Sequence, residues 1–394
     1  MNNRDLSKYF IKAANALKLV LLLVMLLFVV FLLSCILMFR EHITIDNVQY
    51  LMKYADFYDS SHASDEAEIS ITSDSNSHMF TIRDNLAVVT RSGIGLYEFS
   101  GHKLFNYNFS YSTPAAVNDG RNILVYDITG TQLSIFNSFS RVFSQEYPYS
   151  VKTACISPAG FAVVTGHSSF RSVAIAYNSD YKEMFRWECS DRYITSVDLS
   201  DDGAYLLCTA VKSSDGIFNS QVIIYDTRNG KAVSEYTIED ELTLKAEFSQ
   251  NRKNIVILTD SKLYFSDDSL VEINEHKYNQ SKCESFFVEK DCVIITESNN
   301  LSGNSIAITG FDFEGNLLFS ENADSKVSDI SVSESHLFAL SPQNVYIYAI
   351  NDDNTLTLVE KKLTGSVFTN ILSDNNGRYI IADSKKAQRF KVPH

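Results

Sequence analysis

Two stretches, Val197-Asp-Leu-Ser-Asp-Asp-Gly-Ala-Tyr-Leu-Leu-Cys208 and Val222-Ile-Ile-Tyr-Asp-Thr-Arg-Asn-Gly-Lys-Ala-Val233, together spell one architectural unit. In the first, two apolar runs flank Asp201-Asp202-Gly203. In the second, an apolar run ends in Tyr225, and Asp226 to Gly230 lead into another run. Val, Ile, Leu and Tyr suit a pleated, half-buried surface. Asp, Asn and Gly supply the φ values and local hydrogen bonds that reverse a chain. The unit therefore reads as four short antiparallel strands, a–b–c–d.

The same grammar recurs on both sides. The aromatic that closes strand c falls at Tyr97, Phe136, Tyr177, Tyr225, Tyr264, Phe311, Tyr348 and Phe390. These sites are 37 to 48 residues apart, in line with the roughly 40–45 residues of a propeller blade. Strand–turn–strand signals for a and b recur at Ala154 to Val164, Ala246 to Leu258, Phe286 to Thr296, Ile330 to Leu340 and Ile371 to Ala382. No segment beyond residue 65 sustains helical periodicity. The expectation is an all-β, eight-bladed propeller of four-stranded blades over 66–394, with seven blades as the alternative. The last repeat, Phe368 to Val392, holds only three strands. Glu66-Ala-Glu-Ile-Ser-Ile-Thr72 alternates apolar and polar residues and supplies a fourth, leaving no free sheet edge at the ring closure.

This pattern resembles the WD-repeat-like, YVTN-like and quinoprotein-like β-propeller superfamily across nearly all of 66–394. The likeness lies in the grammar, since the Gly-His…Trp-Asp signature is absent: Gly101-His102 and Gly166-His167 lie at other turns, and Trp187 is the one Trp. A lone Trp also departs from the quinone-dependent dehydrogenases, whose blades each end in one. The chain further resembles membrane-anchored propeller proteins of Gram-positive bacteria grouped as a domain of unknown function.

The amino-terminal region reads differently. Residues 19–39 carry no charge and as a helix would span about 31 Å, the thickness of a bilayer core of roughly 30 Å. Arg4, Lys8, Lys12 and Lys18 precede this run, and positive flanks stay cytoplasmic. The sequence thus predicts a basic cytoplasmic tail (1–18), a single transmembrane helix acting as a signal-anchor (19–39), a juxtamembrane linker with a short helix (40–65) and an extracytoplasmic propeller at the cell membrane. Lipidation of Cys35 after a cleaved signal is the alternative. Of the formal charge of −14, residues 1–40 contribute +4 and the remainder −18. So acidic a domain argues against nucleic acid as partner and favours basic or neutral ones.

Motifs for chemistry are missing. No two of the eight histidines lie closer than 16 residues, so neither HxH nor HExxH occurs. Gly166-His-Ser-Ser-Phe170 lacks the second Gly of a nucleophile elbow, and Gly93-Ile-Gly95 is not continued as a dinucleotide loop. Cys283 and Cys292 lie on successive strands, with Cys292 expected opposite about Phe287 and too far from Cys283 for a disulfide. No catalytic residue, metal site or cofactor is assigned, and the reading leans away from an enzyme.

Binding residues are sought where loops lengthen on the face shared by the b–c and d–a connections, since loops carry function. The candidates are His167, Phe170, Arg171, Tyr149, Arg192, Tyr193, Lys212, Phe218, Asn299 and Asn300; exposed aromatics and Arg are common anchors. The expected function is a non-enzymatic binding or scaffold module for a protein or glycan of the cell envelope. A hydrolase or lyase at the channel mouth and a sensor signalling through the helix are the alternatives.

Overall fold

Each apolar run in the repeat is four to ten residues long, too short to bury a face by itself, and finds cover by pairing within a blade and stacking against the next. The computed structural model describes residues 15, 17–31, 34 and 66–394, the last apart from 75–76, 83–84, 251, 279–282, 290–291, 299–305, 324–325, 334, 352–354, 375–376 and 393–394. Over 66–394 the strands form eight four-stranded antiparallel sheets. Blade three, with strands Val151–Ser157, Gly160–Thr165, Ser172–Asn178 and Glu183–Cys189, is representative. Its first strand neighbours the first strands of the adjoining blades, and its fourth is the most exposed. First strands therefore line the centre and fourth strands form the rim.

Eight apolar clusters make up the core, one at each seam between neighbouring blades. No single central core exists because the centre is a channel. All eight signature aromatics sit on third strands. In six blades the register of the third and fourth strands shifts at that residue: Tyr97, Phe136, Tyr177, Tyr225, Phe311 and Tyr348. A bulge there increases the local twist, and the ring packs on the preceding blade; Tyr225 of blade four, for example, packs against Phe185 and Trp187 of blade three.

The eighth sheet joins the two ends of the propeller. Asn370–Ser373, Arg378–Ala382 and Lys386–Lys391 are completed by Ala67–Ser70, paired from Ala67 with Arg389 to Ser70 with Lys386. Seven blades are thereby excluded. Cys292 pairs with Glu289 and Cys283 with Glu297, so the expected register in blade six was displaced. Cys155, Cys189, Cys208, Cys283 and Cys292 are free thiols.

The amino-terminal expectation requires correction. The chain divides into two compact units, Met1–Ser61 and His62–His394. Residues 17–31 are helical, as are 15 and 34. Among the described residues no helix is long and apolar enough to cross a membrane. The single-pass membrane localisation drawn from 19–39 is therefore not supported. The uncharged run reports apolarity, and an apolar helix of spanning length is a separate requirement. Cys35 lies outside the described residues.

Ile69 of the closing strand is 2% exposed and packs with Met79, Val88 and Phe99 across the seam between blades eight and one. Ile69→Ala should cost about 2–4 kcal/mol, measured as a lower urea midpoint. A midpoint shift no larger than that of an exposed rim substitution such as Leu363→Ala would mean that this pairing does not hold the ring.

Candidate functional site

Because strands alternate in direction, the b–c and d–a connections of every blade emerge on one face. On blade four the second and third strands, Tyr205–Ser214 and Ile217–Asp226, run to ten residues each. Asp215 and Gly216 between them have φ of 54° and 82°, the paired positive values of a two-residue hairpin whose twist matches its strands. On its flanks the hairpin loses its neighbours early. The inner strand reaches Val211 and the outer strand reaches Asn219. Residues 212–218 therefore project as a two-stranded finger, with Ile217 48% and Phe218 41% exposed.

Beside the finger lies a cationic and aromatic group. The Arg171 guanidinium donates to the Tyr193 hydroxyl at 3.0 Å and lies over the Tyr193 ring at 5.1 Å. Tyr193 is 53% exposed. Arg192 donates to the Asn219 carbonyl at 3.4 Å, and Asp191 stands 3.7 Å from Arg192 and 3.9 Å from Lys212. Ser172 pins this connection: its hydroxyl accepts the Ile194 N–H at 2.9 Å and donates to the Arg192 carbonyl at 3.4 Å. Ser220 does the same one blade on, with the Thr243 N–H and the Glu241 carbonyl, both at 2.8 Å. On blade three the His167 ring lies 5.0 Å from both Tyr149 and Phe170, and its Nδ1 accepts the Ser169 N–H at 3.1 Å.

The channel is the other concave feature. A cavity of about 750 Å³ lies among the inner strands of blades two to five, lined by Tyr126, Cys155, Thr195, Asp198, Lys245 and Glu247 among others. Asp198 Oδ2 accepts the Phe248 N–H at 2.8 Å and Ser196 Oγ accepts the Ala246 N–H at 3.1 Å, tying blade four to blade five. Blade seven is tied to blade eight in the same way. There Asp329 Oδ2 accepts from Ile371 at 2.8 Å and Ser331 Oγ from Ser373 at 2.9 Å. Burial, reinforced by the charge of Glu247, pushes the Asp198 carboxyl up to about 7. Burial alone takes Asp329 to about 6 against two backbone N–H bonds that lower it. Lys245 is bonded to Glu247. Among the described residues no group of His, Cys, Asp and Glu is arranged to hold a metal ion.

Residues 54–392 match a family described as a family of unknown function (DUF5711). The chain belongs to DUF5711. No curated protein matches it. Solved structures share its fold. The computationally designed Ika8 protein is 12% identical over 82% of this chain and 99% of that one, with a TM-score of 0.61. BamB from Moraxella catarrhalis is 15% identical over 82% and 98%, with a TM-score of 0.54. The carboxy-terminal WD40 domain of Sif2 is 13% identical over 79% and 93%, with a TM-score of 0.57. At these identities the likeness is one of β-propeller fold.

In this DUF5711 propeller the candidates read from sequence fall into three places. Tyr149, His167 and Phe170 meet on blade three, with Phe170 half-buried against the core. Arg171, Arg192, Tyr193 and Lys212 come together on blade four through Tyr193 and Asp191. Lys212 and Phe218 sit on hairpin strands instead of in a loop, paired with Asn219 and Ser213. Asn299 and Asn300 lie outside the described residues. Sequence reasoning passed over Asp191, Asn219 and Ile217. It also passed over Asp198, whose alternation between Val197 and Leu199 looks the same whether it faces bulk water or a channel.

Asp198 has a consequence for stability. Its folded pKa of about 7 exceeds the ordinary 3.9 or so, so the folded state binds the extra proton. Its contribution is full below about pH 4 and is lost as pH rises through about 7. Asp198→Asn keeps an oxygen for the Phe248 N–H and removes the charge. The variant should gain in urea midpoint over the parent as pH rises from 4 to 8. A difference between them that stays constant with pH would refute the assignment.

Proposed function

We propose that this protein is a non-enzymatic scaffold that holds a protein partner on the b–c and d–a face of blades three and four. The observation that carries this reading is the projecting hairpin, with Ile217 and Phe218 exposed at its tip, beside the Arg171–Tyr193 stack. Apolar side chains left exposed on a projecting two-stranded extension add no stability to the fold. Aromatics and Arg in one patch are the residues from which interface hot spots are built. Propellers host unrelated functions, so the support comes from this patch and not from the fold.

Hydrolase or lyase chemistry in the channel is the second reading, favoured by the perturbed Asp198 beside Glu247 in a cavity. Against it, Asp198 is bonded to the Phe248 N–H and Lys245 to Glu247. The Asp198 bond ties blade four to blade five, and Lys245 and Glu247, two apart on one strand, are paired with each other.

Changing Phe170, Arg171, Tyr193 and Phe218 together to Ala should reduce crosslinked capture of the cellular partner at least about tenfold. The far-ultraviolet dichroism of the folded chain should stay the same. Phe170 contributes to the core, so the triple variant without it separates binding from stability. Undiminished capture by both variants would move the binding surface elsewhere.

A further inference from the structure

We propose that the patch around Arg171, Arg192, Tyr193 and Lys212 takes an acidic, extended peptide segment of a protein partner. One carboxylate sits against Arg171, and an apolar side chain of the same segment lies against Phe218. This rests on the scaffold reading above and names the partner's chemistry.

Charge points to this class. The chain carries −14 overall, yet here Arg171, Arg192 and Lys212 stand together with Asp191 between the last two, while Asp215 at the finger's turn and Glu239 opposite Asn219 lie further out. The Asp191 carboxylate is shared at 3.7 Å with Arg192 and 3.9 Å with Lys212, and Lys212 is half exposed. Such long pairs are weak and leave Arg192 and Lys212 able to take a second carboxylate. The remaining acidic surface does little to oppose an acidic ligand, because physiological salt screens charges beyond about 8 Å.

Arg171 is prepared for a carboxylate. Elsewhere Arg186 is locked on Glu183 and Arg378 on Asp374, each at 2.7 Å. Arg171 makes no ion pair among the described residues. Its one side-chain hydrogen bond goes to the Tyr193 hydroxyl, and its plane is steadied over the Tyr193 ring. A guanidinium stacked this way keeps most of its five donors free in a fixed fork, the geometry that binds a carboxylate through two parallel bonds.

The finger supplies the rest. Beyond Asn219 its third strand has no outer neighbour, and beyond Val211 its second has no inner one. On the side that carries Tyr193 and Arg192, an extended segment can therefore add backbone hydrogen bonds along the inner edge of the finger beyond Val211, with Phe218 on the neighbouring strand. Tyr193 pairs with Val211 and Lys212 with Asn219, so cations, ring and edge are contiguous.

The test measures fluorescence anisotropy of the full chain with three labelled twelve-residue peptides, alternating Glu/Leu, Gln/Leu and Lys/Leu. The Glu/Leu peptide should bind at least about tenfold more tightly than Gln/Leu at physiological salt. Arg171→Glu with Lys212→Glu should abolish that preference, while Phe218→Ala should weaken Glu/Leu and Gln/Leu alike. Equal or tighter binding of the Gln/Leu or Lys/Leu peptide, or an unchanged preference in the charge-reversed variant, overturns the acidic class. If that variant still captures the cellular partner and the triple Ala variant does not, the face stands and the acidic partner falls. If the triple Ala variant captures it too, the face falls as well.

Discussion

The pairing of Ala67–Ser70 with Lys386–Lys391 is the constraint on which the ring rests. The side chains of Glu68 and Gln388 meet across 320 residues. Closing a loop of that length costs roughly 3 kcal/mol more than closing a short hairpin, at about 0.6 kcal/mol per doubling. Ile69, Met79, Val88 and Phe99 offset this cost by leaving water together. Each buried side chain of this size is worth about 1.5–3 kcal/mol. Arg389 adds to the seam, its guanidinium 4.5 Å from the centre of the Phe99 ring. Without this strand, Lys386–Lys391 would present a bare edge and the first and eighth blades would each keep an uncovered face.

Once the ring is closed, the inner strands cannot separate, and their side chains are free to do local work. Ser196 and Asp198 reach across one seam and Asp329 and Ser331 across another, each taking backbone N–H groups of the next blade. In both cases the two residues are two apart in sequence, which places them on one face of their strand. The carboxyls are there as hydrogen-bond acceptors in a confined channel, and their raised pKa values follow from that confinement. A perturbed carboxyl is commonly read as a sign of catalysis, but here the backbone partners account for its presence.

Much of the fold was legible because the blade repeat is written in backbone terms. Tyr177, Tyr225 and four of the other six signature aromatics stand at a bulge between third and fourth strands. Asp202-Gly203 marks the turn between first and second strands, where the Asp202 side chain accepts the Ala204 N–H. The finger was less legible. Lys212 to Asn219 is polar and contains Asp-Gly, so it reads as a loop, although each of its residues outside that two-residue turn is paired. The amino-terminal run misled in the opposite sense, since apolar composition does not by itself establish a helix of spanning length.

The candidate site lay between these extremes. Residue type singled out Arg171 and Tyr193, because exposed Arg and Tyr near connections are rarely there for packing. Their contact spans two blades and 22 residues, and no local pattern announces it. It arises because Ser172 fixes the Arg192 connection to blade three, bringing Tyr193 under Arg171. Ser220 repeats that brace one seam further on, where the connection carries the buried Glu241 in place of the partly buried Arg192. Thr259 and Tyr264 satisfy Glu241 from within the blade, at 2.6 and 2.9 Å. The same backbone device thus produces a closed polar core at one seam and an open cationic surface at the next. What separates them is which side chain the connection carries and whether partners within the blade enclose it, as Thr259 and Tyr264 enclose Glu241.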